Sequence, residues 1–88
     1  MKYKLHEYIT GIPNGVNEVI ICNHKTRRIY LFNETASFII RNISDYSTGE
    51  LIDLLQNNYS SIGSQIENDT LSFLDSLLRD EIVFLIEK

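Results

Sequence analysis

The sequence predicts an α+β fold in which a three-stranded antiparallel sheet is followed by three helices, in one domain covering residues 1–88. Three observations carry this. Short segments with strand periodicity fill the first third of the chain, and segments with helical spacing fill most of the rest. The two periods meet inside Arg27–Ile40, RRIYLFNETASFII. There Arg28, Tyr30 and Phe32 alternate with Ile29 and Leu31. Beyond Asn33, Ala36, Ile39, Ile40 and Ile43 fall at i, i+3, i+4 and i+7. Finally, 43% hydrophobic residues in 88 allow one small core, and no apolar run approaches membrane-spanning length.

In chain order, Tyr3–Ile9 reads as a first strand, with Tyr3, Leu5 and Glu7 on one face and Lys4, His6 and Tyr8 on the other. Gly11-Ile12-Pro13-Asn14-Gly15 is turn chemistry, because proline fixes φ and Asn-Gly accepts positive φ. Glu18–Cys22 is a β-branched second strand. Asn23-His24-Lys25-Thr26 is a short polar connection, so the second strand and the third, Arg28–Phe32, form a hairpin. Helix one runs from Glu34 to Ile43. Asn33 is placed to cap it, and Glu34 favours the positive end of its dipole.

After a break at Ser44-Asp45-Tyr46, Ser47-Thr48-Gly49-Glu50 has the form of a capping box. Leu51, Ile52, Leu55 and Tyr59 then line helix two. Residues 57–63 read as a polar loop, and Ser64-Gln65-Ile66-Glu67 offers a second capping-box start. Helix three extends to Arg79. Its inner stripe is Ile66, Thr70, Phe73, Leu74 and Leu77, bordered by Leu71, Asp75 and Leu78. Ile82–Ile86 is an apolar run of strand length.

If the hairpin pairs the second and third strands, the third is a sheet edge with unpaired N–H and C=O groups. Tyr30 and Phe32 face the helices, so Ile29 and Leu31 point to the open side. Two apolar residues there imply either cover by another segment of the chain, a partner surface, or a homodimer. Arg27 and Arg28 read as solvated charges that discourage edge-to-edge aggregation, or as partners for acidic groups on a guest chain.

Charge and composition exclude several classes of function. Residues 1–44 carry a net +3 and residues 45–88 a net −7. A helix three bearing Glu67, Asp69 and Asp75 against only Arg79 would repel a nucleic-acid duplex. No nucleophile–base set, glycine-rich phosphate loop or metal-ligand spacing is present, so the reading is non-enzymatic, with no cofactor and no metal. The lone Cys22 cannot form an internal disulfide, and its apolar strand predicts a buried, inert thiol. The absence of a signal-peptide pattern points to the cytoplasm.

These residues resemble a known family. Phe32-Asn33-Glu34-Thr35-Ala36 leading into a helix, the helix start at Ser47–Leu51, Tyr59 near a helix end, and Asp69-Thr70-Leu71-Ser72-Phe73-Leu74-Asp75-Ser76-Leu77 look like the PqqD-like RiPP recognition elements. The resemblance covers roughly Val19–Val83. The chain departs from the family pattern at Phe32 for leucine, Ala36 for glycine, Thr70 for an apolar residue, and Glu81 for the glycine that ends helix three.

The resemblance implies a small winged-helix domain. It would bind the leader segment of a ribosomally synthesised precursor peptide as a strand beside the third strand and against helix three. It would present that peptide to a separate modifying enzyme: a leader protease and cyclase in lasso-peptide systems, or a radical-SAM enzyme. The peptide-binding residues would be Arg27, Arg28, Ile29, Tyr30, Leu31 and Phe32 on the strand, with Leu71, Leu74, Asp75 and Leu78 on the helix. Two alternatives are a winged-helix nucleic-acid regulator and an adaptor that binds only a folded partner enzyme.

Overall fold

The computed structural model describes residues 1–59 and 63–86. Its elements are β1 (Lys2–Leu5), β2 (Ile9–Asn14), β3 (Glu18–Asn23), β4 (Arg28–Phe32), α1 (Glu34–Asn42), α2 (Thr48–Asn58), α3 (Gly63–Arg79) and β5 (Val83–Ile86). The α+β architecture, the hairpin of β3 and β4, and the three helices that follow agree with the sequence reading. The three-stranded antiparallel sheet has the order β2-β3-β4, and a second sheet pairs β1 with β5.

That second sheet is the main correction. The predicted strand Tyr3–Ile9 is two strands, broken at His6-Glu7-Tyr8. The His6 amide donates to the Ile82 carbonyl at 3.1 Å, and the Ile9 amide donates back to the His6 carbonyl at 3.1 Å. The chain thus turns out of one sheet and into the other. Lys2–Leu5 pairs antiparallel with Val83–Ile86, so the apolar run at the end of the sequence is a strand whose partner is more than 70 residues away.

The predicted turn Gly11–Gly15 is also displaced. Gly11–Asn14 belongs to β2, and the turn begins at Gly15, with φ +77°. Pro13 is tolerated in β2 because that strand is an edge, where a missing N–H need not break a ladder.

Local chemistry sets the helix starts. The Asn33 side chain accepts from the Ala36 amide at 2.9 Å. Ser47 and Glu50 close a full capping box, the Ser47 amide donating to Glu50 at 2.8 Å. That hydrogen bond holds the Glu50 carboxyl below the usual carboxylate range. The helix backbone of α3 begins at Gly63, one residue before the predicted cap. The side chain of Ser64 and residues 60–62 lie outside the described residues.

The core forms where the inner sheet face meets the helices. Val19 and Ile21 come from β3, Ile39, Ile40 and Ile43 from α1 and its cap, Leu51 and Leu55 from α2, and Leu74 and Leu77 from α3. Ile82 and Val83 close it from below. Cys22 is not buried as predicted. Alternation places it on the outer sheet face, where it is half-exposed.

The end of α3 shows why glycine is dispensable at residue 81. The Glu81 amide donates to the Leu78 carbonyl at 3.1 Å and the Ile82 amide to the Leu77 carbonyl at 2.9 Å, the paired bonds of a Schellman stop. Ile82 and Leu77 are both buried, as that motif favours. Glu81 takes the left-handed conformation itself, at φ +60°. Lys25 reaches across to it at 2.6 Å. The hydrogen bond and charge of Lys25 lower the Glu81 pKa, and those of Glu81 raise the Lys25 pKa. The pair's contribution is therefore lost as pH falls through the Glu81 value, and again as pH rises through the Lys25 value.

One buried side chain ties this stop to the hairpin. Asn23 is 1% exposed. Its Oδ1 accepts from the Lys25 and Thr26 amides at 2.9 and 3.1 Å, shaping the turn between β3 and β4. Its Nδ2 donates to the Asp80 and Glu81 carbonyls at 3.0 and 3.3 Å. Asn23→Ala strands the Asp80 carbonyl and the Lys25 and Thr26 amides, leaving the Glu81 carbonyl to the Tyr8 hydroxyl at 3.0 Å, and should cost about 2–4 kcal/mol in urea denaturation. Glu81→Gly should raise the thermal midpoint by a few degrees, because relief of the left-handed strain outweighs an exposed ion pair.

Candidate functional site

The site is built on the outer edge of β4. β4 pairs with β3 in the register Val19↔Phe32, Ile20↔Leu31, Ile21↔Tyr30, Cys22↔Ile29 and Asn23↔Arg28. It has no neighbour on its other side among the described residues.

Ser37 reveals which groups of β4 are free. The Val19 amide donates to the Ser37 hydroxyl at 2.9 Å, and that hydroxyl donates to the Phe32 carbonyl at 3.3 Å. Val19 and Phe32 thus point their main-chain groups at each other, with one hydroxyl relaying between them. Antiparallel pairs alternate between facing and averted main-chain groups. Tyr30 therefore faces β3, while the N–H and C=O groups of Ile29 and Leu31 face the open edge. The edge offers four main-chain hydrogen-bonding groups at a strand's spacing.

The side chains follow the same alternation. Ile29 and Leu31 are 65% and 71% exposed on the outer face, as the sequence predicts. Tyr30 and Phe32 are half-buried on the inner face, their rings stacked with centroids 6.0 Å apart. Phe32 meets Phe73 of α3 edge-on at 5.4 Å. Beside the β4 edge there is thus an aromatic groove with one wall of strand and one of helix. The Tyr30 hydroxyl is buried there with no hydrogen-bond partner. Arg28 shares the inner side of β4, and Arg27 holds the last turn position at φ +66°. Both are exposed, and neither forms an ion pair among the described residues.

Phe73 also identifies the side of α3 that faces β4, and this corrects the predicted helix residues. At 3.6 residues per turn, Asp69, Ser76 and Asp80 share its side. Leu71 and Asp75 lie about 160° round from it, and Leu78 about 140°. The Asp75 carboxylate faces Tyr3 of β1 instead. Burial first, and that carboxylate second, raise the Tyr3 pKa. Leu74 is 0% exposed and belongs to the core. The strand residues predicted for the site come together. Leu71, Leu74, Asp75 and Leu78 do not join them.

Past the Phe32–Phe73 contact the groove opens into a cavity of about 380 Å³ between the first turn of α1, the end of α2 and α3. Asn33, Thr35, Ala36, Ile66, Asp69 and Phe73 are among its walls. No group of three His, Cys, Asp or Glu side chains is placed to hold a metal ion among the described residues. No helix among them is long and apolar enough to cross a membrane.

Sequence reasoning missed Asn23, Ser37 and the groove-facing role of Phe73. Phe73 carried a usable signal, since it lies at the margin of the α3 stripe where a core residue borders a neighbour. Ser37 carried none, because its bonds join segments far apart in the chain. Asn23 carried half a signal: an asparagine opening a short polar turn bonds the amides just after it, but its bonds to the end of α3 depend on a distant segment.

The family model of coenzyme PQQ synthesis protein D (PqqD) matches residues 18–83, from the start of β3 to the start of β5. The chain belongs to the PqqD family. Two solved structures share the fold of this PqqD-family chain. One is described as TbiB1 in complex with the TbiA(beta) leader peptide. It has 19% sequence identity and a TM-score of 0.86, and the match covers 100% of both chains. The other is lasso peptide synthetase B1 complexed with the leader peptide, at 16% identity and a TM-score of 0.85. That match covers 97% of this chain and 100% of the other. No curated relative matches the sequence.

The orphaned hydroxyl makes a direct prediction. Tyr30→Phe should leave stability unchanged or raise it by up to about 1 kcal/mol, since it removes a buried polar group without a partner. Thermal melting in parallel with the unsubstituted chain checks this.

Proposed function

We propose that this chain binds the leader segment of a ribosomally synthesised precursor peptide as an added strand on β4, and presents it to a separate modifying enzyme. The observation that carries the reading is the open β4 edge. Two residues, Ile29 and Leu31, turn their N–H and C=O groups outward beside an aromatic groove. Strand addition takes affinity from main-chain bonds and specificity from side-chain pockets, and this edge offers both. The guest's inward side chains would lie against Tyr30, Phe32 and Phe73. A side chain just beyond the paired stretch would enter the cavity under Ala36. Arg27 and Arg28 would meet acidic guest residues at the opposite end of β4.

Membership in the PqqD family, and structural neighbours that hold leader peptides, support the same reading. Both neighbours are B1-type proteins, which favours a lasso-type system with a leader protease and cyclase over a radical-SAM enzyme. Residues 1–88 would act as one binding domain, working with its partner enzyme in the cytoplasm. The role is carriage rather than chemistry. Among the described residues the groove holds aromatic rings and a strand edge, with no nucleophile beside a base.

Isothermal titration with a synthetic leader from the precursor gene nearest this one should show micromolar binding or tighter, about −8 kcal/mol or better. Full-length precursor should add little. Binding to the core peptide, with none to the leader, would refute the reading. Leu31→Pro removes an outward N–H that no internal bond uses. It should weaken leader binding at least tenfold with little loss of thermal stability, an edge position being where proline is tolerated.

A further inference from the structure

The three-stranded sheet has two edges, and they are alike in all but their main-chain donors. β2, like β4, has no neighbour on its outer side among the described residues. A groove of about 470 Å³ lies beside β2, with Leu5, Gly11, Val16, Val19 and Ile40 among its walls. An open edge with a groove beside it is also what marks β4.

The main chain of β2 sets the two apart. The His24 amide donates to the Tyr8 carbonyl at 3.1 Å, so Tyr8 and His24 turn their main-chain groups toward each other. Alternation then turns Thr10, Ile12 and Asn14 toward Cys22, Ile20 and Glu18 of β3. Ile9, Gly11 and Pro13 face the open side. The Ile9 amide is spent on the His6 carbonyl at 3.1 Å. Pro13 has no N–H to give. Gly11 therefore carries the one unspent outward donor of β2. The β4 edge has two, on Ile29 and Leu31.

An added strand needs donors and acceptors in alternation. On β2, Gly11 is flanked on both sides by a position that has no donor to offer. Carbonyls of an incoming strand opposite Ile9 and Pro13 would lose water and gain no partner. The Ile9 bond belongs to the turn that carries the chain from one sheet to the other. Pro13 is exposed, and its ring takes nothing from the β2–β3 ladder, because position 13 faces outward.

We propose that Pro13 determines which edge of the sheet takes a strand. It closes β2 to a second guest and to a second copy of the chain, and leaves β4 as the single point of entry. The inference rests on the strand-addition reading above. Leu31→Pro would do to β4 what Pro13 does to β2. One carrier then holds one precursor, always on the side of α3.

The test restores the missing donor in the full chain. Pro13→Val returns an outward N–H with a residue suited to a strand. If β2 pairs with β2 of a second copy about a twofold axis at Ile12, each Gly11 stands opposite position 13, and the substitution doubles the main-chain bonds across the pair. In sedimentation without leader, the variant should self-associate with a dissociation constant at least tenfold below that of the unsubstituted chain. The Gly11 amide should gain protection from hydrogen exchange as it does so. In calorimetry the unsubstituted chain should take one synthetic leader, and Pro13→Val should keep that affinity within twofold. A second leader bound by the variant also supports the proposal, the guest then taking the place of the second copy. Pro13→Ala restores the same N–H with weaker strand preference. It should act in the same direction, and it serves if the valine variant fails to melt cooperatively. Folded variants that stay as monomeric as the unsubstituted chain and bind one leader would overturn the proposal, as would association that leaves the Gly11 amide unprotected. Failure of leader to bind the unsubstituted chain would instead remove the strand-addition reading, and is measured apart from self-association.

Discussion

The side chain of Asn23 is the constraint on which the arrangement depends. It is buried, and its side-chain amide makes four hydrogen bonds, two to the turn that follows it and two to the distant end of α3. One pair shapes the turn between β3 and β4, and the other holds the carbonyls where α3 stops. The start of β4 and the end of α3 are thereby fixed together. At the other end of β4, Ser37 bridges Val19 and Phe32, and Phe73 rests on Phe32. The groove is pinned at both ends and open along its length. A buried amide bonded to both segments specifies one geometry, because any slip of hairpin against helix breaks several bonds at once.

Much of this was legible in the residues. The change of period at Asn33 located the passage from β4 to α1, and the cap it implied is present. So is the capping box at Ser47 and Glu50. Alternation along Arg28–Phe32 correctly separated the exposed Ile29 and Leu31 from the inward Tyr30 and Phe32. Those features are local, decided by residues within a turn or a strand of each other.

What could not be read depends on distant partners. Tyr3–Ile9 has one alternating pattern, yet Tyr3–Leu5 pairs with β5 and Ile9 opens the strand that pairs with β3. Nothing in seven residues announces a change of sheet. Pro13 looked like a turn residue because only the sheet order reveals that β2 is an edge. The helix residues of the site went astray for a related reason. A stripe at helical spacing shows that α3 is buried, but not which flank meets β4. The contact of Phe73 with Phe32 decides that, and it moves Leu71, Asp75 and Leu78 to the other side. Departures from the family pattern follow the same logic. Glu81 accepts a glycine's conformation because Asn23 and Lys25 hold the turn from outside it.

The pairing of Lys2 with Ile86 in the β1–β5 sheet has a topological consequence. Residues facing each other across an antiparallel pair are about 5 Å apart, so head and tail of the described chain leave side by side. A few linking residues would close the backbone into a ring without disturbing either sheet. New ends could then be opened at the β2–β3 turn, where Val16 is 94% exposed. The order of elements along the chain is thus separable from their arrangement in space, and a permuted polypeptide could carry the same groove.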